Sequence, residues 1–227
     1  MKQKASRKQI LKEPDEFLTL STRMIAWGVD HKMTIVYVCC AVLAVGLIGS
    51  GIGYYFQSSE KRAAARLYQS MAKYEKLEQG SDPKSAFQQV KNDIRDVVDA
   101  YSGRAAGKQA MVILGNMSYD AMDYENAITL YMKAISHFED QPFYKSIIAS
   151  ALGHAWLSRN DPDKAVPFFE MILATPDMPE TDDALFQLAL IHQKKGNTEK
   201  SRELFKRLST EFKDSPFFEI ASQRVTG

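Results

Sequence analysis

Four histidines are the side chains of this chain best able to ligate a metal ion or transfer a proton: His31, His137, His154 and His192. The sequence around them contains no HExxH motif, no GxSxG motif and no glycine-rich phosphate loop. His31 is expected at the level of lipid head groups and His137 at the end of a helix. His154 and His192 could approach each other across a helical array, but surface or groove positions suit them better than metal ligation.

Two pairs of neighbouring carboxylates, Glu139 with Asp140 and Asp182 with Asp183, are the other candidates for acid–base chemistry. Acidic residues near a helix start are favoured by the helix dipole, whatever their function. We therefore expect both pairs to be solvated charges at helix ends. The sequence predicts no enzymatic activity, no metal site and no cofactor.

The longest apolar segment is Met33–Phe56, and no charged residue lies between Lys32 and Glu60. As a helix it is about 36 Å long, which exceeds the roughly 30 Å of a hydrocarbon core, so it should span a membrane. Cys39 and Cys40 both lie within it and point about 100° apart, so they neither form a normal zinc site nor cross-link the rest of the chain. The segment is too long for the core of a signal peptide, which favours a retained anchor.

Charge and length indicate the orientation of this span. The residues up to Lys32 include seven basic and four acidic ones, whereas the remainder has 22 basic and 24 acidic ones and no nucleic-acid signature. We expect a cytoplasmic N-terminus and a translocated C-terminal part, because basic tails remain in the cytoplasm. Residues 1–12 should lack packed structure, and residues 15–32 should form an interfacial helix with Trp27 at the membrane surface. The predicted plan is a tail at 1–32, a transmembrane helix at 33–56 and a helical domain at 57–227.

Three segments of the C-terminal part align without gaps, at spacings of 38 and 36 residues. They are AMVILGNMSYDAMDYENAITLYMKAI, ASALGHAWLSRNDPDKAVPFFEMIL and LFQLALIHQKKGNTEKSRELFKRL. Each has a leucine followed by a small residue, then another small residue, an aromatic residue and a final small or apolar residue. The aligned positions are Leu114, Leu152 and Leu188; Gly115, Gly153 and Ala189; Ala127, Ala165 and Ser201; Tyr131, Phe169 and Phe205; and Ala134, Ile172 and Leu208.

These positions resemble the tetratricopeptide repeat, which implies an all-α solenoid of antiparallel helix pairs. The physical reason agrees, because small residues let two helices approach closely and aromatic rings fill the space between successive pairs. A fourth, degenerate pair is expected from ARLYQSMAKYEKL and the helix that follows it, with Ala86 in the small position. The segment SPFFEIASQRV should form a capping helix, with Ser215 as its N-cap and Pro216 in its first turn.

The resemblance also implies a protein-binding groove on the concave side, lined by the first helix of each repeat. Mixed aromatic, aliphatic and amide side chains there suit an extended or helical peptide. For the third repeat, packing against the capping helix is an equal alternative. Only Asn116 fits the Lys/Asn clamp that holds a peptide C-terminus in some members, so that specificity is not expected. The groove residues are Gln109, Val112, Asn116, Tyr119 and Asp120 in the first repeat, Ile147, Ser150, His154 and Leu157 in the second, and Phe186, Leu190 and Gln193 in the third.

Small residues at four-residue spacing form a second candidate contact surface, within the span. They are the pairs Gly46 with Ser50 and Gly49 with Gly53. This spacing lets another transmembrane helix approach closely, although glycine is also simply tolerated in membrane helices.

The order of elements, a short tail, a single span, an almost immediate helix and a repeat array, resembles the YfgM-type family of bacterial inner-membrane proteins. That resemblance implies a periplasm-facing accessory subunit of the SecYEG translocon. Such a subunit works with a membrane-anchored periplasmic chaperone such as PpiD and helps to handle newly exported polypeptides. The alternative is a scaffold or assembly subunit of another envelope complex, held through its transmembrane helix. Both functions imply protein partners and membrane lipid.

Overall fold

The computed structural model describes residues 16–80 and 82–226, which fold entirely into helices and connecting turns. The predicted all-α class is confirmed, and the expected irregular start at residues 1–12 lies outside the described part. The helices are α1 (Glu16–Asp30), α2 (Lys32–Glu78), α3 (Pro83–Tyr101), α4 (Ala105–Asp120), α5 (Tyr124–Ile135), α6 (Pro142–Ser158), α7 (Pro162–Leu173), α8 (Thr181–Lys194), α9 (Thr198–Glu211) and α10 (Phe218–Thr226).

The chain divides into two compact units after Gln57. In the first unit, the large apolar side chains from Met24 on α1 to Phe56 on α2 are exposed, for example Leu47. By length and composition, α2 is the one described helix that could cross a membrane. Cys39 and Cys40 are exposed free thiols on it.

The second unit begins within α2 and contains the repeats. Three of its helix starts follow from the sequence, because an aspartate occupies the N-cap position and, in two of them, a proline comes next. The Asp82 carboxylate accepts hydrogen bonds from the amides of Lys84 and Ser85, and Asp123 and Asp161 cap α5 and α7 in the same way.

The small positions of each repeat allow its two helices to touch. A Cβ added to Gly115 would lie 2.6 Å from the Tyr131 ring, and one added to Gly153 would lie 2.5 Å from the Phe169 ring. These rings are fully buried. In the third repeat the Ser201 hydroxyl donates to the Ala189 carbonyl at 2.8 Å. The expected reason for the small residues is therefore observed in the packing.

The turn inside each repeat places one residue in the left-handed region. Met122, Asn160 and Gly196 have φ values of 64°, 57° and 79°. In each case the amide that follows donates back to a carbonyl five residues earlier in the first helix. This is the Schellman arrangement, which glycine and asparagine adopt with less strain than methionine.

The fourth pair is formed by the end of α2 and α3, which bury Ala63 and Leu67 in one apolar cluster with Phe87 and Val90. This helix pair is also connected to the first repeat. The Glu60 carboxylate on α2 accepts hydrogen bonds from the first two amides of α4. Ala86 is fully buried, as the repeat alignment predicts.

The capping helix is present, but it begins later than predicted. α10 starts at Phe218, and Ser215 lies in the turn before it. The Ser215 hydroxyl accepts from the Phe217 amide and donates to Asp182 at 2.6 Å. The tertiary contact with α8 therefore holds Ser215 outside the helix, and the assignment of Ser215 as N-cap is wrong.

Candidate protein-binding face

The predicted groove residues lie on α4, α6 and α8, the first helices of the three repeats. We call their outward side the first-helix face. Its side chains range from fully exposed to buried, and most are open to solvent at least in part. Exposed or partly exposed members are Gln109, Val112, Asn116, Tyr119, Asp120, Ile147, His154, Leu157, Phe186, Leu190 and Gln193, whereas Ser150 is buried.

Two polar groups of the first repeat already have partners inside the protein. The Asn116 side-chain oxygen accepts a 2.7 Å hydrogen bond from the hydroxyl of Tyr131, whose pKa is raised by burial. The Tyr119 hydroxyl is hydrogen-bonded to Ser158 at 3.0 Å, which links α4 to α6. We call this link between the first and second repeats the first joint.

The joint between the second and third repeats is built differently, around a buried carboxylate. His154 Nε2 on α6 lies 2.7 Å from Asp183 Oδ2 on α8. The Gln187 amide donates to the other oxygen of Asp183 at 3.0 Å, and the Ser150 hydroxyl is hydrogen-bonded to the same carboxylate. The His154 ring also meets the Phe169 ring edge to face. We call this arrangement the second joint.

The pKa values of this pair move in opposite directions. The hydrogen bond to Asp183 raises the pKa of His154, although burial acts against this rise. Burial by itself raises the pKa of Asp183, but the hydrogen bonds from His154, Gln187 and Ser150 outweigh it, and the pKa lies below the usual value. The pairing thus favours the charged form of the histidine and the ionised form of the aspartate.

The prediction that Asp182 and Asp183 form a solvated carboxylate pair at a helix end is wrong for Asp183. Only 8% of its surface is exposed, and its neighbour Asp182 accepts from Ser215. The residue was recognisable in principle, because Asp183 aligns with Gln109 and Ile147 at the repeat spacings of 38 and 36 residues. The sequence analysis did not include Asp183 among the groove residues, and the sequence could not show which residue would pair with it.

Ser150, His154 and Asp183 are also the residue types of a nucleophilic triad, but their hydrogen bonds connect them differently. Asp183 is at the centre and accepts from both the serine and the histidine. In a triad the histidine must instead face the serine hydroxyl in order to take its proton. This geometry is suited to fixing α6 against α8. Among the described residues there is also no cluster of three or more metal-ligating side chains.

The capping segment covers part of the third repeat's face. The Phe217 ring stacks on the Phe186 ring with their centroids 4.4 Å apart. The Arg224 guanidinium donates to the Gln193 side-chain oxygen at 3.1 Å. Of the two alternatives for these residues, packing against the capping segment is the observed one for Phe186 and Gln193, and Leu190 is partly exposed.

The small residues of the span leave open space beside α2. A Cβ added at Gly46, Gly49 or Gly53 meets nothing within 4 Å, and the Ser50 hydroxyl donates to the Gly46 carbonyl at 2.8 Å. Their role in contact with another helix stays a prediction.

Comparisons with known proteins agree with the fold. The profile of the tetratricopeptide repeat-like domain family matches residues 27–176, and a tetratricopeptide repeat profile matches residues 183–215. No curated protein matches the chain. A crystal structure of nearly identical TPR-like repeats, from a Podosopora anserina protein provisionally assigned as a kinesin light chain, aligns with a TM-score of 0.53 and 11% identity. It covers 73% of this chain and 84% of that one.

A second structure, a single-substitution variant of the same Podosopora anserina protein, has a TM-score of 0.54, 11% identity and the same coverage. At this identity the likeness supports the fold alone. The family profile, however, covers more than half of the sequence and includes the first two repeats with their small and aromatic positions. The chain therefore belongs to the tetratricopeptide repeat-like domain family.

Proposed function

We propose that this protein binds polypeptides on the first-helix face while α2 anchors it in a bacterial inner membrane with the repeats in the periplasm. In this proposal it is an accessory, chaperone-like subunit of the Sec translocon. It acts together with a membrane-anchored chaperone on newly exported chains, and it catalyses no reaction. The observation that supports it best is an open face of mixed aliphatic, amide and aromatic groups, preceded in the same chain by a helix long enough to span a membrane.

The chemistry of that face fits transient contact with many chains. Gln109, Ile147 and Leu157 offer apolar surface and an amide group to a bound chain. Each such contact is weak in solution. Few residues separate the span from the repeats in sequence, so an anchor would raise the effective concentration of the face for any chain that emerges at the same membrane.

Photo-crosslinking of the full-length protein in native membranes tests this proposal. Photoreactive residues are introduced one at a time at Gln109, Ile147 and Leu190, with Lys206 on α9 as the matched exposed control. We expect adducts with exported polypeptides, translocon subunits or a periplasmic chaperone from the first three positions and not from the control. Adducts of equal yield at Lys206, or none from the face, would contradict the proposal.

The span supports a second candidate function, that of a scaffold held through α2. The specific observation is the open space beside Gly49 and Gly53, which leaves both sites free for close helix contact. Replacing both with leucine should release the protein from such a complex during co-purification while leaving adducts from Ile147 unchanged. Retained co-purification together with unchanged adducts would instead favour the groove function.

A further inference from the structure

An apolar pocket opens on the first-helix face between the second and third repeats. Its cavity of about 190 Å³ is lined by the end of α6, the start of α7 and the last two turns of α8. This volume is below the range of small-molecule sites, and it suits one side chain of a bound polypeptide better than a cofactor. The lining residues are Leu157, Asn160, Pro162, Gln187, Leu190, Ile191, Lys194 and Lys195.

The floor of the pocket is aliphatic. Ile191 is buried, while Leu157 and Leu190 are partly exposed, so a guest side chain placed there would remove their remaining apolar surface from water. A larger cavity between α2 and α3, about 300 Å³, is lined by polar side chains and holds the Lys73–Asp93 ion pair. The apolar floor therefore distinguishes the pocket on the first-helix face from this polar cavity.

The rim of the pocket is positively charged. Lys195 is paired with Asp163 on α7. Lys194 is exposed, and within residues 16–80 and 82–226 it forms no ion pair with a carboxylate. One lysine thus remains to attract a negative charge beside the apolar floor. The Asn160 side chain adds a neutral hydrogen-bonding group at the same rim.

The pocket is held in shape by the second joint. Gln187 lines it and at the same time donates to Asp183, which pairs with His154. The side chain of Gln187 is therefore fixed before any guest arrives, and the cost of ordering it on binding is small.

We propose that this pocket binds an aliphatic side chain that stands next to an aspartate or glutamate in an extended polypeptide. The aliphatic group fills the space between Leu157 and Leu190, and the neighbouring carboxylate pairs with Lys194. This assignment rests on the proposed function and names the kind of segment that the face selects. A side-chain carboxylate fits better than a chain terminus, because capture of a terminus needs several converging donors, and among the described residues Lys194 is the one rim cation without a carboxylate partner.

Fluorescence polarisation with the full-length protein in detergent micelles tests the pocket. The probe is a fluorescein-labelled 12-residue peptide of glycine, serine and asparagine with one central Leu-Glu pair. Matched peptides carry Leu-Gln, Ala-Glu or Leu-Lys, and a fifth ends in a free leucine carboxylate. We expect the Leu-Glu peptide to bind best, and its affinity should fall as the salt concentration rises.

The variant K194E should weaken binding of the Leu-Glu peptide by about five- to tenfold, because reversal of one exposed charge removes an ion pair and adds repulsion. The same variant should bind the Leu-Lys peptide better than the wild type does. K206E, the same change at an exposed position on α9, should alter neither affinity. A folding defect would weaken binding of both peptides, so it cannot explain a variant that binds the Leu-Glu peptide less tightly and the Leu-Lys peptide more tightly.

Equal affinities for the Leu-Glu and Leu-Gln peptides, or unchanged binding in K194E, would overturn the pocket assignment. Binding of the free-terminus peptide alone would also overturn it and would identify a chain end as the occupant. Adducts from Gln109 and Ile147 in the crosslinking experiment separate the two proposals. If they persist, the face still binds polypeptides and only the pocket is misassigned, whereas their loss contradicts the proposed function itself.

Discussion

The first and second joints connect consecutive repeats with different chemistry. Both have an ion pair at their edge, Arg159 with Glu125 in the first and Lys195 with Asp163 in the second. The two ion pairs occupy equivalent positions in successive repeats. Lys195 lies 36 residues after Arg159, and Asp163 lies 38 residues after Glu125. Between the first helices, however, the first joint has a neutral hydroxyl pair and the second has the His154–Asp183 pair.

This difference shows that a repeated backbone does not impose repeated energetics. A hydroxyl hydrogen bond does not titrate in the neutral range, whereas a histidine–carboxylate pair does. Stability of a repeat array is approximately a sum of repeat and interface contributions. We therefore expect the His154–Asp183 contact of the second joint to respond to pH and to charge substitutions, and the Tyr119–Ser158 contact of the first joint to be insensitive to both.

The largest predicted effect comes from removing the carboxylate of the second joint. D183A leaves the polar groups of His154, Gln187 and Ser150 without their shared acceptor, which should cost about 2 to 3 kcal/mol. Hydrogen exchange of the full-length protein in micelles should show faster exchange in α8 and α9. The matched change in the first joint, Y119F, should cost about 0.5 kcal/mol, and equal effects in the two joints would contradict the comparison.

Substitutions that disturb the packing inside a repeat provide a reference for this comparison. Their effect on the free energy of unfolding should not depend on which joint is nearby. G115A and G153A each place a methyl group against a buried ring, and we expect each to lower the free energy of unfolding by about 2 kcal/mol. G103A is the control, since a Cβ there meets nothing within 4 Å. Thermal unfolding followed by circular dichroism measures all three. A large difference between G115A and G153A would mean that the repeats themselves are unequal.

The pH dependence should be confined to the second joint. The pKa of His154 is raised in the folded protein, so its contribution is complete below the unfolded pKa of about 6.5 and is lost as the pH rises through the folded value. The pKa of Asp183 is lowered, so its contribution is complete above about pH 3.9 and is lost as the pH falls through the folded value. The pair is therefore strongest between about pH 4 and 6.5.

Exchange in α8 should accelerate as the pH is raised from 6 to 9, after correction for intrinsic rates, while α4 and α5 remain unchanged. The effect should be smaller than that of D183A, because a neutral imidazole still donates to the carboxylate. H154Q should remove the dependence. If the dependence survived in H154Q, another group would have to be responsible.

The smallest predicted effect concerns the turns that precede the second helices. M122G should stabilise the protein by about 0.5 kcal/mol, because Met122 is exposed and holds a φ of 64° that glycine adopts without strain. G196A should be destabilising at the equivalent position for the same reason. Chemical denaturation of both variants measures the difference, and stabilisation by G196A would show that the turn is not strained.

Much of the architecture could be predicted because its signals are local or repeated. Helix starts follow from Asp82, Asp123 and Asp161, and the close packing inside repeats follows from Gly115 and Gly153. The candidate site was predicted less completely. The positions on the first helices were recognised by alignment, but Ser150 proved buried and Phe186 proved covered by the cap.

The sequence by itself determined an all-helical repeat array and an apolar segment long enough to span a membrane, because hydrophobic periodicity and self-similarity are properties of the chain alone. Only the tertiary structure decided that Asp183 is buried, that Ser215 lies outside the capping helix, and that Lys194 lies beside an apolar pocket. The physical reason is that each of these depends on a partner distant in sequence. His154, for example, lies 29 residues from the aspartate whose charge it balances.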